Sequence, residues 1–369
     1  MRILVAPDCF GGTLSARAAA EAISLGWRRS APDDELVLRP LADGGPGFVE
    51  VLHAALGGMV HRLEVTGPLG ALVEAEWLEH DGTAYIECAQ ACGLHLAPAA
   101  ERDASRATTR GVGELVNDAL SKGVRTVVIG LGGSASTDGG AGLFAALGFA
   151  PLGADGAELA PGGGPLIDCA RLSATPEFPV QLVIASDVEN VLLGRHGAAH
   201  TFGPQKGADA TEVEALERAL SRWADVLAEA TGKDVRDTAG AGAAGGLGAG
   251  LLALGAEVVS GAGLVRELTG LDSALDSVQL AITGEGSFDW QSLRGKLITA
   301  VAAGAAERGM PCLVLAGQVS VGRRESAAVG IEDSYAVAEH AGSVEASLAD
   351  PAGTLADLAA HVAGQWGGR

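Results

Sequence analysis

The sequence predicts an α/β protein of two domains. One is a doubly wound parallel-sheet domain of Rossmann or flavodoxin-like kind, built from both chain ends. The other is an inserted mixed α/β domain. Three observations carry this. Short apolar runs recur along the chain, each ending in a small or acidic turn. The texture turns antiparallel after Gly57. Glycine is abundant (55 of 369 residues) while the hydrophobic fraction stays at 48% and aromatics at 4%. That mix suits tight strand–loop–helix junctions and small-residue packing rather than disorder.

The apolar runs come in order. Arg2 to Asp8 (RILVAPD) leads through Cys9-Phe10-Gly11-Gly12-Thr13 into a helix pattern from Ser15 to about Ser30. Glu35 to Leu41 leads through Ala42-Asp43-Gly44-Gly45-Pro46-Gly47 into a helix ending at Leu56. Thr126 to Ile129, Gln181 to Ala185, Gln279 to Thr283 and Pro311 to Ala316 repeat the pattern. Strands alternating with helices imply right-handed crossovers and a parallel sheet. Ligands in such sheets sit beyond the carboxyl ends of the strands, where all these turns would lie. Val60 to Glu64, Ala71 to Glu79 and Thr83 to Cys88 read instead as antiparallel strands, joined by Gly67-Pro68-Leu69-Gly70 and Asp81-Gly82. The expected boundaries are residues 1–66 plus 270–369 for the doubly wound domain and 67–269 for the insertion.

Formal net charge is −21, which excludes general nucleic-acid binding, since phosphate neutralisation needs clustered Lys and Arg. The cysteines Cys9, Cys88, Cys92, Cys169 and Cys312 form no double Cys-x-x-Cys, so a reducing setting without structural zinc is expected. Met1 to Pro7 is too short an apolar run for a secretory signal. Ala239 to Ala256 is uncharged over a membrane-like length, but it is mostly glycine and alanine. It reads as a buried loop and helix, and no membrane association is expected.

Thr126 to Phe144 (TVVIGLGGSASTDGGAGLF) is the most informative segment. A β-branched strand runs into Gly130, Gly132 and Gly133, then Ser134, Ser136, Thr137 and Asp138, then a helix start near Gly140. That layout presents backbone N–H groups to an anion. Gly240-x-Gly242-x-x-Gly245 matches a dinucleotide fingerprint by letters, but no strand precedes it. A Walker A loop and a Gly-x-Ser-x-Gly elbow are absent. The remaining inventory suits phosphoryl transfer, which needs a phosphate cradle, a metal held by carboxylates, a cation and an acceptor base. Cradle candidates are Gly132, Gly133, Ser134, Gly284 and Gly286. The turns carry Asp8, Asp43, Asp138, Asp187, Glu285 and Asp289; nearby cations are Lys206, Arg294 and Lys296.

On these residues the chain resembles the bacterial class I glycerate kinase family over nearly its whole length. The matching stretches include Ala6-Pro7-Asp8, Ala42-Asp43-Gly44-Gly45, Gly130 to Ala135, Asp138 to Gly142, Asp187-Val188, Phe202 to Ala208, Gly240 to Gly250, Ile282 to Gly286, Asp289 and Gly295-Lys296. The resemblance implies ATP-dependent phosphorylation of glycerate with Mg²⁺ in the cytoplasm, and an active site in the cleft between two α/β domains. In this reading Gly132, Gly133, Ser134, Asp138, Gly284 and Gly286 bind nucleotide. Glu285 and Asp289 hold the metal. Asp187 or Asp43 is the base, and Lys206 and Lys296 offset charge. The product is expected to be 2-phosphoglycerate, from a monomer or homodimer. Another small hydroxy acid as acceptor, or binding without turnover, is the alternative. The family's lysine, glutamate and arginine are replaced here by Gly11, Pro46 and Ser287.

Overall fold

The computed structural model describes residues 1–293 and 297–367. They form two compact units: Met1–Asp43, Glu50–Leu56 and Ala262–Arg369 make the first, and Gly44–Val49 and Gly57–Gly261 the second. Both are mixed α and β.

Among the described residues fifteen strands run in chain order: β1 (Arg2–Val5), β2 (Glu35–Leu38), β3 (Met59–Thr66), β4 (Leu72–His80), β5 (Thr83–Glu87), β6 (Thr126–Gly130), β7 (Pro151–Leu152), β8 (Arg171–Leu172), β9 (Gln181–Ala185), β10 (Glu257–Val259), β11 (Leu280–Thr283), β12 (Ser287–Phe288), β13 (Cys312–Ala316), β14 (Gln318–Val319) and β15 (Asp333–Ala336).

The first unit holds a five-stranded sheet in the order β15-β13-β11-β1-β2, with every pair parallel. The chain moves from β1 outward to β2, then returns to the other side of β1 for β11, β13 and β15. This is a doubly wound order, and its reversal puts a crevice at the carboxyl ends of β1 and β11. Ile3, Leu4, Val5, Leu280 and Ile282 are at most 1% exposed, as expected for strands covered on both faces. Ser15 caps the Ala16–Ser30 helix by accepting from the Ala18 N–H at 3.2 Å. That helix lies along the Pro351–Trp366 helix, where a Cβ on Gly26 would run into the Ala356 backbone. Gly26 is therefore required by close packing of the two helices.

The second unit holds a six-stranded sheet in the order β10-β9-β6-β5-β4-β3. The strands from β10 to β5 are parallel, and β5-β4-β3 is an antiparallel meander. β3 pairs with β4 along its full length, from Met59↔Glu79 to Thr66↔Leu72. It therefore belongs to the second unit, although the sequence reading assigned residues up to 66 to the first. The six apolar runs also divide: β1, β2, β11 and β13 share one sheet, while β6 and β9 sit in the other. Ala239 to Ala256 is the buried turn and helix expected, with Leu247, Ala249 and Leu251 at most 1% exposed. Among the described residues no helix is long and apolar enough to cross a membrane.

Candidate functional site

In the second unit the loop after β6 is shaped by backbone contact. A Cβ on Gly132 would lie 2.5 Å from Gly45 Cα, and one on Gly133 would lie 3.0 Å from Pro46 Cγ. The Gly44–Pro46 segment thus packs directly on this loop, and glycine at 132 is demanded by that approach. The Leu131 N–H donates to Ala185 O, the Ala135 N–H to Cys92 O, and Gly133 O accepts from Leu94. The N–H groups of Gly132, Gly133 and Ser134 donate to no protein acceptor among the described residues.

Beneath this loop lies Lys206, 2% exposed, from the Pro204–Lys206 turn. Its Nζ donates to Ser134 Oγ at 3.0 Å and to Ser136 O at 2.5 Å. No carboxylate lies within ion-pair distance of it among the described residues. Burial pulls its ammonium down to about 8. A charge taken out of water without an anion is costly. Ser136 Oγ and Thr137 Oγ1, both on fully buried residues, also lack hydrogen-bond partners among the described residues. A buried cation, unpaired hydroxyls and unspent backbone N–H groups together could receive an anion.

Asp138, expected to contact nucleotide, has its oxygens engaged by the fold. It is fully buried, and its Oδ2 accepts from the Thr109 N–H at 2.8 Å, Thr109 Oγ1 at 2.9 Å and the Gly142 N–H at 3.1 Å. Its Oδ1 accepts from the Gly140 N–H at 3.1 Å. It joins the start of the Arg110–Ser121 helix to the start of the Ala141–Ala146 helix. Burial raises its carboxyl, opposed by these hydrogen bonds. Asp187, just after β9, is partly exposed and accepts from Ser260 Oγ at 2.7 Å.

In the first unit, carboxylates gather at the crevice. The Asp8 N–H donates to Gly284 O at 2.8 Å, tying the two turns together. Burial raises the Asp8 carboxyl to about 7, with the charges of Asp43 and Glu285 adding. Glu285 is raised by burial too, reinforced by Asp289 and Asp43, and its buried Oε1 has no partner among the described residues. Asp289 is largely committed to its own turn, its Oδ1 accepting from the Gln291 N–H at 2.7 Å and the Ser292 N–H at 3.3 Å. Among the described residues no three His, Cys, Asp or Glu side chains are preassembled as a metal site. Gly284 is fixed by its approach to Leu315 O, and Gly286 by its approach to Phe10. An open pocket of about 460 Å³ lies here, lined by Asp8, Phe10, Gly11, Glu285, Ser287 and Gln318 among others. Lys296 lies outside the described residues.

Residues 3–367 match the glycerate kinase family. The chain belongs to that family. It is accordingly an enzyme of the glycerate kinase type, a phosphotransferase acting on an alcohol group. It is 44% identical to the glycerate 2-kinase of Escherichia coli (strain K12), over 87% of this chain and 86% of that one. It is 47% identical to an uncharacterized protein of Mycobacterium bovis, over 100% and 92%. A crystal structure from Salmonella typhimurium LT2, of a protein assigned as a glycerate kinase 2, superposes with a TM-score of 0.80 at 37% identity, covering 99% and 98% of the two chains. Two further groups had weak sequence signals. Asp8 lies in the turn after β1, as Asp43 lies in the longer turn after β2, and the sequence names it among the turn carboxylates without giving it a part. Ser136 and Thr137 stand in the Thr126 to Phe144 segment, but nothing local marks a hydroxyl that the fold leaves unpaired.

Proposed function

We propose that this enzyme transfers the γ-phosphoryl group of ATP to glycerate, with Mg²⁺, and that the product is 2-phosphoglycerate. The observation that carries the anion-binding half is Lys206, buried without a carboxylate beneath the free N–H groups of Gly132, Gly133 and Ser134. In this reading the loop and Lys206 receive phosphate oxygens and replace the water those oxygens lose. The name of the E. coli relative favours the 2-hydroxyl as acceptor.

The carboxylate crevice fits a divalent cation. Among the described residues Glu285 has an orphaned buried oxygen, and the charge of Asp43 adds to the cost of ionising Asp8. Glu285 and Asp8 would hold the ion, with Asp289 contributing charge while its oxygen stays in its turn. Bound there, Mg²⁺ would neutralise negative charge that develops on phosphate oxygens. Asp187, steadied by Ser260, is proposed to orient the acceptor hydroxyl and take its proton; Asp43 is the alternative base. Lys296 is proposed to balance charge on the transferred group, and the enzyme to work in the cytoplasm.

One observation favours a second acceptor. Gly11 and Ser287, where the family carries cations, line the same pocket. An acceptor less anionic than glycerate would suit those replacements. The test is ADP release across a panel of small hydroxy acids, with wild type and Asp187→Asn. The proposal expects glycerate to dominate and Asp187→Asn to lose about 100-fold or more in kcat. Near-normal turnover in Asp187→Asn contradicts the base assignment, and a different preferred acid contradicts the substrate.

A further inference from the structure

We propose that β3 is a dimerisation strand, pairing antiparallel with β3 of a second copy of this chain about a two-fold axis through Leu63. β3 is the last strand of its sheet, eight residues long, without proline, glycine or bulge. Such an edge offers unpaired backbone groups for pairing.

Its outward set is fixed by two hydrogen bonds. The Gly67 N–H donates inward to Ala71 O, so the odd-numbered residues bond to β4. The Thr66 N–H is turned away from β4 and donates to Glu114 Oε2 at 2.6 Å. The backbone groups of Val60, Arg62 and Glu64 therefore face outward too.

Charge then chooses the register. With even residues outward, three central pairings are open. Centring on Arg62 stacks Arg62 against its own mate, and centring on Glu64 stacks Glu64 against its mate. Both place like charges opposite each other. Centring on Leu63 pairs Arg62 with the mate's Glu64 and Glu64 with the mate's Arg62. Within one chain Glu64 already stands opposite Glu74, an unfavourable pair, while Arg62 is matched to Glu76 at 2.9 Å. A second copy supplies the cation that Glu64 lacks. Glu76 engages only Nε of Arg62, and the side chain is 67% exposed.

The other face agrees. Leu63 and buried Val65 belong to the core side of the sheet, beside the His61–Trp77 stack at 4.2 Å. Pairing through Leu63 sets Leu63 against its mate and continues that apolar layer across the axis. Two-fold pairing of this kind makes one closed interface and leaves no free edge at β3.

The test is the solution mass of the full chain by light scattering, with wild type, Arg62→Glu, Glu64→Arg and the double variant Arg62→Glu/Glu64→Arg. We expect a doubled mass for wild type, its loss in each single variant, and its recovery in the double variant. A monomeric wild type overturns the proposal, as does a dimer that survives either single change. Leu63→Cys guards against misfolded variants. A non-hydrogen-bonded pair brings facing Cα atoms to about 4.5 Å, within disulfide range. Oxidised Leu63→Cys is expected to give a covalent dimer on a denaturing gel while Arg62→Cys and wild type do not. A Leu63→Cys protein that stays uncrosslinked also overturns the proposal.

Discussion

Replacing Asp138 by alanine should damage the fold far more than a lost ligand contact would. The carboxylate is fully buried and accepts from three backbone N–H groups and the Thr109 hydroxyl. The alanine variant strands those three amides, and each buried donor left unpaired costs about 1–3 kcal/mol. Relief from burying the charge offsets part of this, since burial already raises the carboxyl. A net loss of about 3–5 kcal/mol is expected, in the diagnostic tail for single substitutions. Asp138→Asn retains one oxygen and should lose less, about 1–3 kcal/mol. Denaturant unfolding of wild type and both variants, without nucleotide, reads these differences directly. An Asp138→Ala protein with unchanged stability but weakened ATP binding would refute the structural role and restore Asp138 to the ligand.

Lys206 should couple anion binding to proton uptake. Burial holds its ammonium at about 8, and a bound phosphate would favour the charged form. Above pH 8 the free protein is partly deprotonated, so binding takes up a proton and phosphate or ATP affinity falls as pH rises. Calorimetry in buffers of different ionisation enthalpy measures this, and Lys206→Met should abolish it. Glu87, 3% exposed, accepts from the Gly47 N–H at 3.0 Å, and burial raises its carboxyl from 4.5 to about 7. The folded state therefore holds this proton more tightly than the unfolded state. Stability from Glu87 is full below pH 4.5 and lost as pH rises through 7, by about 3 kcal/mol. Glu87→Gln should flatten that part of the stability–pH curve measured by denaturant titration.

The parallel strands were legible because β-branched runs such as Val127–Ile129 stop at glycine or aspartate, a local signal. β10 and β15 were missed because Glu257–Val259 and Asp333–Ala336 are short, and their apolar content is set by neighbours far away in sequence. The two-unit plan was visible in the shift from crossover to hairpin texture. The place of β3 was not, because pairing with β4 is a tertiary fact. At the site, sequence marked the glycines but not their cause. Gly132 and Gly284 are required by approaching backbone, which no local pattern reports. Sequence likewise listed Asp138 and Asp187 as equals. Only burial separates one whose oxygens are consumed by the fold from one left partly exposed.

The central claim is phosphoryl transfer from ATP to the 2-hydroxyl of glycerate, and phosphorus and carbon NMR of the product formed from ATP, Mg²⁺ and glycerate tests it most directly. The account predicts one ADP for each 2-phosphoglycerate, with the new phosphorus coupling to the C2 proton. A phosphorus signal coupled to the C3 protons, or ADP formed without phosphoglycerate, would contradict it.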